Sequence, residues 1–151
     1  MSEQGFSHQQ WLERGDWEMA LQQWVDSHPA QATGLCLASV LREETPPEQH
    51  AVLDEITRCF QKHDNALRWR IFNRFSLEGF GSPVGALALA LFWSEGSLAP
   101  EGVEPVYPDP ALVPQMLHTT MLLLAAQLND SPVEGTRALL NRCLAWEAMS
   151  K

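Results

Sequence analysis

The side chains able to do chemistry are few and scattered. The histidines are His8, His28, His50, His63 and His118. No two stand in an HxxxH or HExxH spacing, which would place both imidazoles on one helical face as metal ligands. The cysteines, Cys36, Cys59 and Cys143, are odd in number, far apart and form no CxxC pair, so neither a disulfide framework nor a cysteine zinc site is expected. Each lies among Leu, Ala or Phe, which reads as a buried thiol in a reducing cytosol. Gly79, Gly81 and Gly85 precede a helical pattern, but no GK[ST] follows and no strand leads in. A turn and a close helix contact at Gly85 fit better than a phosphate cradle. His118 falls on an apolar helix and reads as a helix-face histidine with a hydrogen-bond partner. No catalytic, cofactor-binding or metal-binding residue is assigned, and no cofactor is expected. A protein of binding rather than of bond chemistry is the reading.

Charge narrows the partners. The chain has 151 residues, with 10 Lys and Arg against 19 Asp and Glu, a formal net charge of −9. An acidic chain lacks the basic face that displaces counterions from nucleic acid or docks on an anionic membrane. A protein partner remains. Positive charge gathers at Arg68, Arg70 and Arg74. Arg70 and Arg74 share one helical face, whereas Arg68 projects into the apolar arc of Leu67, Ile71, Phe72 and Phe75. An arginine there pairs with a carboxylate or lies at an interface. With Trp11 and Trp17, these three arginines form the candidate partner-binding set, the tryptophans because exposed indoles in an acidic helix pair would mark a binding surface.

These residues must be positioned by helices. Apolar positions recur at intervals of three and four, no stretch alternates with β-branched residues, and Leu and Ala dominate. Helices are expected at about 7–14, 16–28, 31–42, 65–77, 83–93, 112–128 and from Pro132 to Met149, with another opening at Thr45-Pro46-Pro47-Glu48. The fold class is all-α: one domain over 1–151, a compact bundle of seven or eight short helices in antiparallel pairs, with a proline-rich crossing loop near 94–110. The helix at 112–128 is expected to be central. The N-terminal residues carry no basic and apolar signal pattern, no apolar stretch approaches the ~20 residues that span a bilayer, and a cytoplasmic location follows. Oligomeric state stays open.

The crossing loop holds Pro100, Pro105, Pro108 and Pro110. Prolines lack backbone donors, so regular structure cannot hold this segment. Ser94 and Ser97 are expected to cap local turns, and Leu98, Val103, Val106 and Tyr107 to anchor the segment, with Leu98 and Tyr107 packed into the helices to make the loop an ordered strap.

The motif Phe92-Trp93-Ser94-Glu95-Gly96-Ser97-Leu98-Ala99-Pro100, the prolines after it and the apolar Leu122-Leu123-Leu124-Ala125-Ala126 resemble a bacterial family of unknown function with an SGGSLAPP-like motif. Ala20–Trp24, His28-Pro29 and Gly34–Ala38 are similar to its first helix pair. The match departs at Glu95, where that family has glycine, and at Glu101, where it has a second proline. The resemblance implies association with type VI secretion gene clusters, and so an accessory, adaptor or chaperone-like factor. The alternative is an immunity or antitoxin-type inhibitor whose acidic surface masks a basic toxin site.

Overall fold

A computed structural model describes residues 7–149. The reading of the extreme N-terminus falls largely on residues 1–6, outside the described residues. Eight α-helices follow one another: α1 (His8–Glu13), α2 (Trp17–Ser27), α3 (Ala30–Glu44), α4 (His50–Gln61), α5 (Asn65–Glu78), α6 (Pro83–Ser94), α7 (Leu112–Leu128) and α8 (Pro132–Met149). A 3-10 turn, Pro47–Gln49, precedes α4. The described residues contain no strand, and the helices pack as an all-α bundle.

Local chemistry sets the helix starts. Ser7 and Gln10 form a reciprocal capping box on α1, which satisfies donors that the first turn leaves free. The Asp64 side chain accepts the Leu67 N–H at α5, and Ser82 accepts the Gly85 N–H at α6. Asp16 and Thr45, both of cap-forming type, do not cap the helices that follow them. Asp16 precedes α2 but makes no side-chain cap bond. Thr45 turns backwards, its hydroxyl donating to Leu41 O at the end of α3, because Pro46 holds the chain extended before the 3-10 turn begins.

Short connections fold successive helices back on one another. The contacts run α1 on α2 and then from α3 through to α8 in chain order, while α2 reaches α7 and α8. Helix α6 is the most deeply buried element, while α7, expected to be central, packs on α2, α3, α6 and α8. Residues from Pro83 to Phe92 are almost all buried, since α6 is apolar all round and α3, α4, α5 and α7 surround it. Helix α7 buries Leu117, Thr120, Met121, Leu124 and Ala125 and leaves its other side nearer solvent.

Small residues set how close the helices come. A Cβ on Gly85 would lie 2.8 Å from Gly79 O, which makes this glycine a contact between α6 and its own leading turn. A Cβ on Gly135 would lie 2.2 Å from Ala125 O, so α8 crosses α7 backbone to backbone. The three thiols are buried. Burial raises the Cys59 pKa to about 11, and the neighbouring Cys36 together with burial holds Cys143 well above an ordinary thiol.

Helices α6 and α7 are joined by the long irregular segment 95–111, the strap, which lies at one end of α6.

Candidate functional site: the strap and its arginine anchor

The strap begins where α6 runs out of hydrogen-bond donors. The last carbonyls of a helix have no partner inside it and carry the negative end of its dipole. Ser94 answers one, its hydroxyl donating to Leu91 O. Arg68, reaching across from α5, answers another. Its Nε and Nη2 donate to Phe92 O at 2.9 and 2.6 Å, and Nη2 also donates to Ser97 O at 2.8 Å. Nη1 donates to Asn65 Oδ1 at 3.0 Å, one turn back on its own helix. The guanidinium carbon stands 4.0 Å from the centroid of the Phe92 ring, and that ring stacks on Phe72 at 4.0 Å.

Arg68 is therefore an internal fastener. It is 1% exposed, which removes it from the partner-binding set. The expected carboxylate partner is also replaced: backbone carbonyls and one side-chain amide take its hydrogen bonds. A planar fork of donors can bridge two carbonyls on different turns, and a partly dehydrated guanidinium tolerates an aromatic face. Burial lowers its pKa from the ordinary arginine value, opposed by the nearby Glu95 charge, and an arginine stays protonated. Burial likewise raises the Glu95 pKa, opposed by His63 and then Arg68; His63 Nδ1 lies 3.6 Å from Glu95. Gly96 keeps the chain close to the anchor, since a Cβ there would meet Arg68 Nη1 at 3.2 Å.

Ser97 ties the neck of the strap. Its Oγ accepts the N–H groups of Ala99 and Val106 at 3.0 and 2.9 Å and lies 3.2 Å from Val106 O. Leu98 N–H also donates to Val106 O at 2.6 Å. Residues 98–106 thus form a closed loop whose ends meet at one serine, and the carbonyl of that serine is held by Arg68. Gly102 turns the loop at φ +85°.

The expected side-chain anchors do not carry the strap. Tyr107 is 69% exposed, and Val103 and Val106 are 59% and 54% exposed. Leu98 is half-buried and Pro100 is exposed. Polar ties at Ser97 and Arg68 hold the backbone, which leaves these apolar side chains free to face outward. Beside them a cleft of about 490 Å³ opens between the strap, the end of α6 and the starts of α3 and α7. Its walls include Trp93, Gly96, Tyr107, Pro108 and Pro110, with Ala30 and Pro114 at the far side.

The other expected partner-binding residues lie elsewhere. Arg70 pairs with Glu55 of α4, and Arg74 pairs with Glu78 one turn on at 3.3 Å. Both stand at the surface as paired charges. Trp11 is buried, 6% exposed. Trp17 is half-buried and borders a small cleft with Leu122, Ala126 and Pro132. These four do not converge with the strap on one surface. His118 bonds Glu18 O at 3.2 Å, as a helix-face histidine should. Among the described residues no group of three His, Cys, Asp or Glu side chains could hold a metal ion, and no helix is long and apolar enough to cross a membrane.

Sequence reasoning missed the link between Arg68 and the strap. The available signal was an arginine inside an apolar arc together with a helix C-terminus followed by Gly96 and no capping cation of its own.

Residues 33–146 match the family of unknown function DUF6931. The chain belongs to that family, and the matched span runs from within α3 to near the end of α8, leaving α1 and α2 outside it. No curated protein and no solved structure matches the chain.

Proposed function

We propose that this protein is a non-enzymatic interaction module that docks a protein partner on the strap. The carrying observation is the separation of holding from display. Arg68 and Ser97 fix the strap through its backbone, while Val103, Val106 and Tyr107 stand exposed on it. An ordered loop with outward apolar side chains gives contact area without the ordering cost that a flexible loop brings to binding. The setting we propose, from the resemblance at Phe92–Pro100, is that of an accessory, adaptor or chaperone-like factor of a type VI secretion system, acting in the cytoplasm.

The test is affinity capture from native lysate with the full chain, comparing wild type with the double variant Val103→Asp, Val106→Asp. Both positions are exposed, so the variant should keep its helical circular dichroism. We expect a partner recovered by wild type and lost by the variant, identified as a sheath, baseplate, spike or effector protein. Equal recovery by both baits overturns docking on the strap. Glu101 and Glu104 are exposed on the same loop and favour one second reading, inhibition of a basic toxin by charge complementarity. Recovery of a toxin whose activity the protein blocks selects that reading.

A further inference from the structure

The cleft beside the strap has the chemistry of a receptor for a positively charged chain. Between Arg74 and Arg137 the sequence contains no Lys or Arg, yet it carries Glu78, Glu95, Glu101, Glu104, Asp109, Asp130 and Glu134. Two of these acids flank the cleft along the chain without lining it. Glu95 lies between the lining residues Ser94 and Gly96, and Asp109 between the lining residues Pro108 and Pro110. Past Ala30 and Pro114 the cleft continues into a second hollow, of about 270 Å³, that Asp26 borders together with Val25 and His28. Ala30 and Pro114 line both, so the two adjoin as one groove, with Asp26 in the wall of its second part.

Glu95 is answered by His63 and Arg68, but the other acids beside the groove are uncompensated. Asp26 accepts only from the neutral Gln22 amide, and Asp109 from the Ala111 N–H. Among the described residues no cation pairs with Asp26, Glu101, Glu104 or Asp109. The groove walls supply the other half of cation recognition. Trp93 and Tyr107 are the aromatic rings there, and an aromatic face attracts a guanidinium or ammonium held over it. The proline-lined walls offer few backbone donors to an anionic chain.

We propose that this groove binds an extended segment of a partner protein bearing Arg or Lys, with one cation over Tyr107 and beside Asp109. This rests on the interaction reading above and adds the chemistry of the bound segment. An extended segment suits the groove because aromatic-lined grooves commonly receive extended chains.

The probe is a fluorescein-labelled octapeptide of alternating Arg and Pro, titrated with the full chain and followed by fluorescence anisotropy. The control is the octapeptide with Glu in place of Arg. Tyr107→Ala removes one ring at an exposed position. Asp109→Asn removes the charge and keeps an oxygen for the Ala111 N–H. We expect the Arg peptide to bind and the Glu peptide not to bind. Each substitution should weaken binding about two- to fivefold, the scale of one exposed cation–aromatic contact, and raising the salt to 0.5 M should weaken wild type further. Glu134→Gln on α8 should change nothing. No binding of the Arg peptide, or binding that Tyr107→Ala and Asp109→Asn leave unchanged, overturns the groove assignment. The capture experiment keeps the two readings apart. A partner lost from Val103→Asp, Val106→Asp but retained by Tyr107→Ala and Asp109→Asn sustains docking on the strap and rejects the cationic groove.

Discussion

Arg68 meets Phe92 twice. Two of its N–H groups donate to the Phe92 carbonyl, and its guanidinium lies over the Phe92 ring at 4.0 Å. One residue at the end of α6 therefore offers the cation both a helix-end carbonyl and an aromatic face. The third tie, to Ser97 O, passes the constraint on to the strap. The buried charge on α5 is how the fold holds in place a loop that contains four prolines and so few donors of its own.

The first prediction follows from that geometry. Arg68→Lys keeps the charge but offers a point donor that cannot bridge Phe92 O and Ser97 O together. Arg68→Met keeps much of the volume and leaves both carbonyls without that partner. At about 1–3 kcal/mol for each buried group left unsatisfied, Arg68→Lys should lose about 1–3 kcal/mol for the one carbonyl it cannot reach, and Arg68→Met about 2–6 kcal/mol for both, in urea denaturation. Limited proteolysis should cut within 98–106 at concentrations of protease that leave wild type whole. A variant as stable and as resistant as wild type would mean that the strap does not depend on the anchor.

Ser97 should matter more to the loop than to the bundle. Ser97→Ala removes the acceptor for the Ala99 and Val106 N–H groups. Hydrogen exchange at Val106 should accelerate at least tenfold, while amides in α6 and α7 stay as in wild type. Glu101→Ala, exposed on the same loop, should stay within about 0.5 kcal/mol of wild type. Uniform acceleration across the helices would show that the neck supports the whole fold.

The bundle was largely legible because its signals are local. The Ser82-Pro83 and Ser131-Pro132 starts, the stop before Pro29 and the spacing of apolar residues each act within a few positions. The anchor was not, because Arg68 and Ser97 are 29 residues apart and periodicity says only that Arg68 points inward. Its partner was expected to be a carboxylate; a helix end leaves no mark in composition. Tyr107 misled for a related reason. Large apolar residues in a loop are expected to pin it, but here backbone ties at Ser97 hold the loop and the ring stays outside. The deep burial of α6 was legible in Pro83–Phe92, where no polar side chain interrupts the run.

Stability should fall as the solution is acidified through the histidine range. Burial is the largest influence on His8 and lowers its pKa below 6.5, His28 adds to this, and Glu147 opposes it. The His8 Nε2 is buried with no hydrogen-bond partner among the described residues, and the ring packs edge-on to Trp24 at 5.5 Å. A base with a depressed folded pKa binds fewer protons folded than unfolded. The folded state therefore keeps its full advantage above pH 6.5 and loses it as the pH drops through 6.5 toward the folded value. His8→Phe keeps a ring against Trp24 and cannot titrate. Its stability should be flatter between pH 7 and 5 than that of wild type, measured by urea denaturation at each pH. Parallel profiles for the two proteins would assign the acid sensitivity to other groups.

Two glycine-to-alanine changes should move stability in opposite directions. Alanine favours a helix over glycine by about 1 kcal/mol, so Gly135→Ala in α8 would stabilise if the new methyl had room. It does not. The Cβ would lie 2.2 Å from Ala125 O and 3.0 Å from Ala125 C, and both are backbone atoms of α7 that cannot swing aside as a side chain can. The helices must separate, loosening Leu124 and Leu139 in the core between them. Overpacking of this kind costs about 1–3 kcal/mol or more, so the net change should be destabilising despite the better helix former. At Gly81, before α6, a Cβ meets nothing within 4 Å and the backbone is not left-handed. Gly81→Ala restricts the unfolded chain and should stabilise by about 0.4–1 kcal/mol. Thermal denaturation of the two variants beside wild type reads both signs. A stabilised Gly135→Ala protein would show that α8 does not cross α7 backbone to backbone.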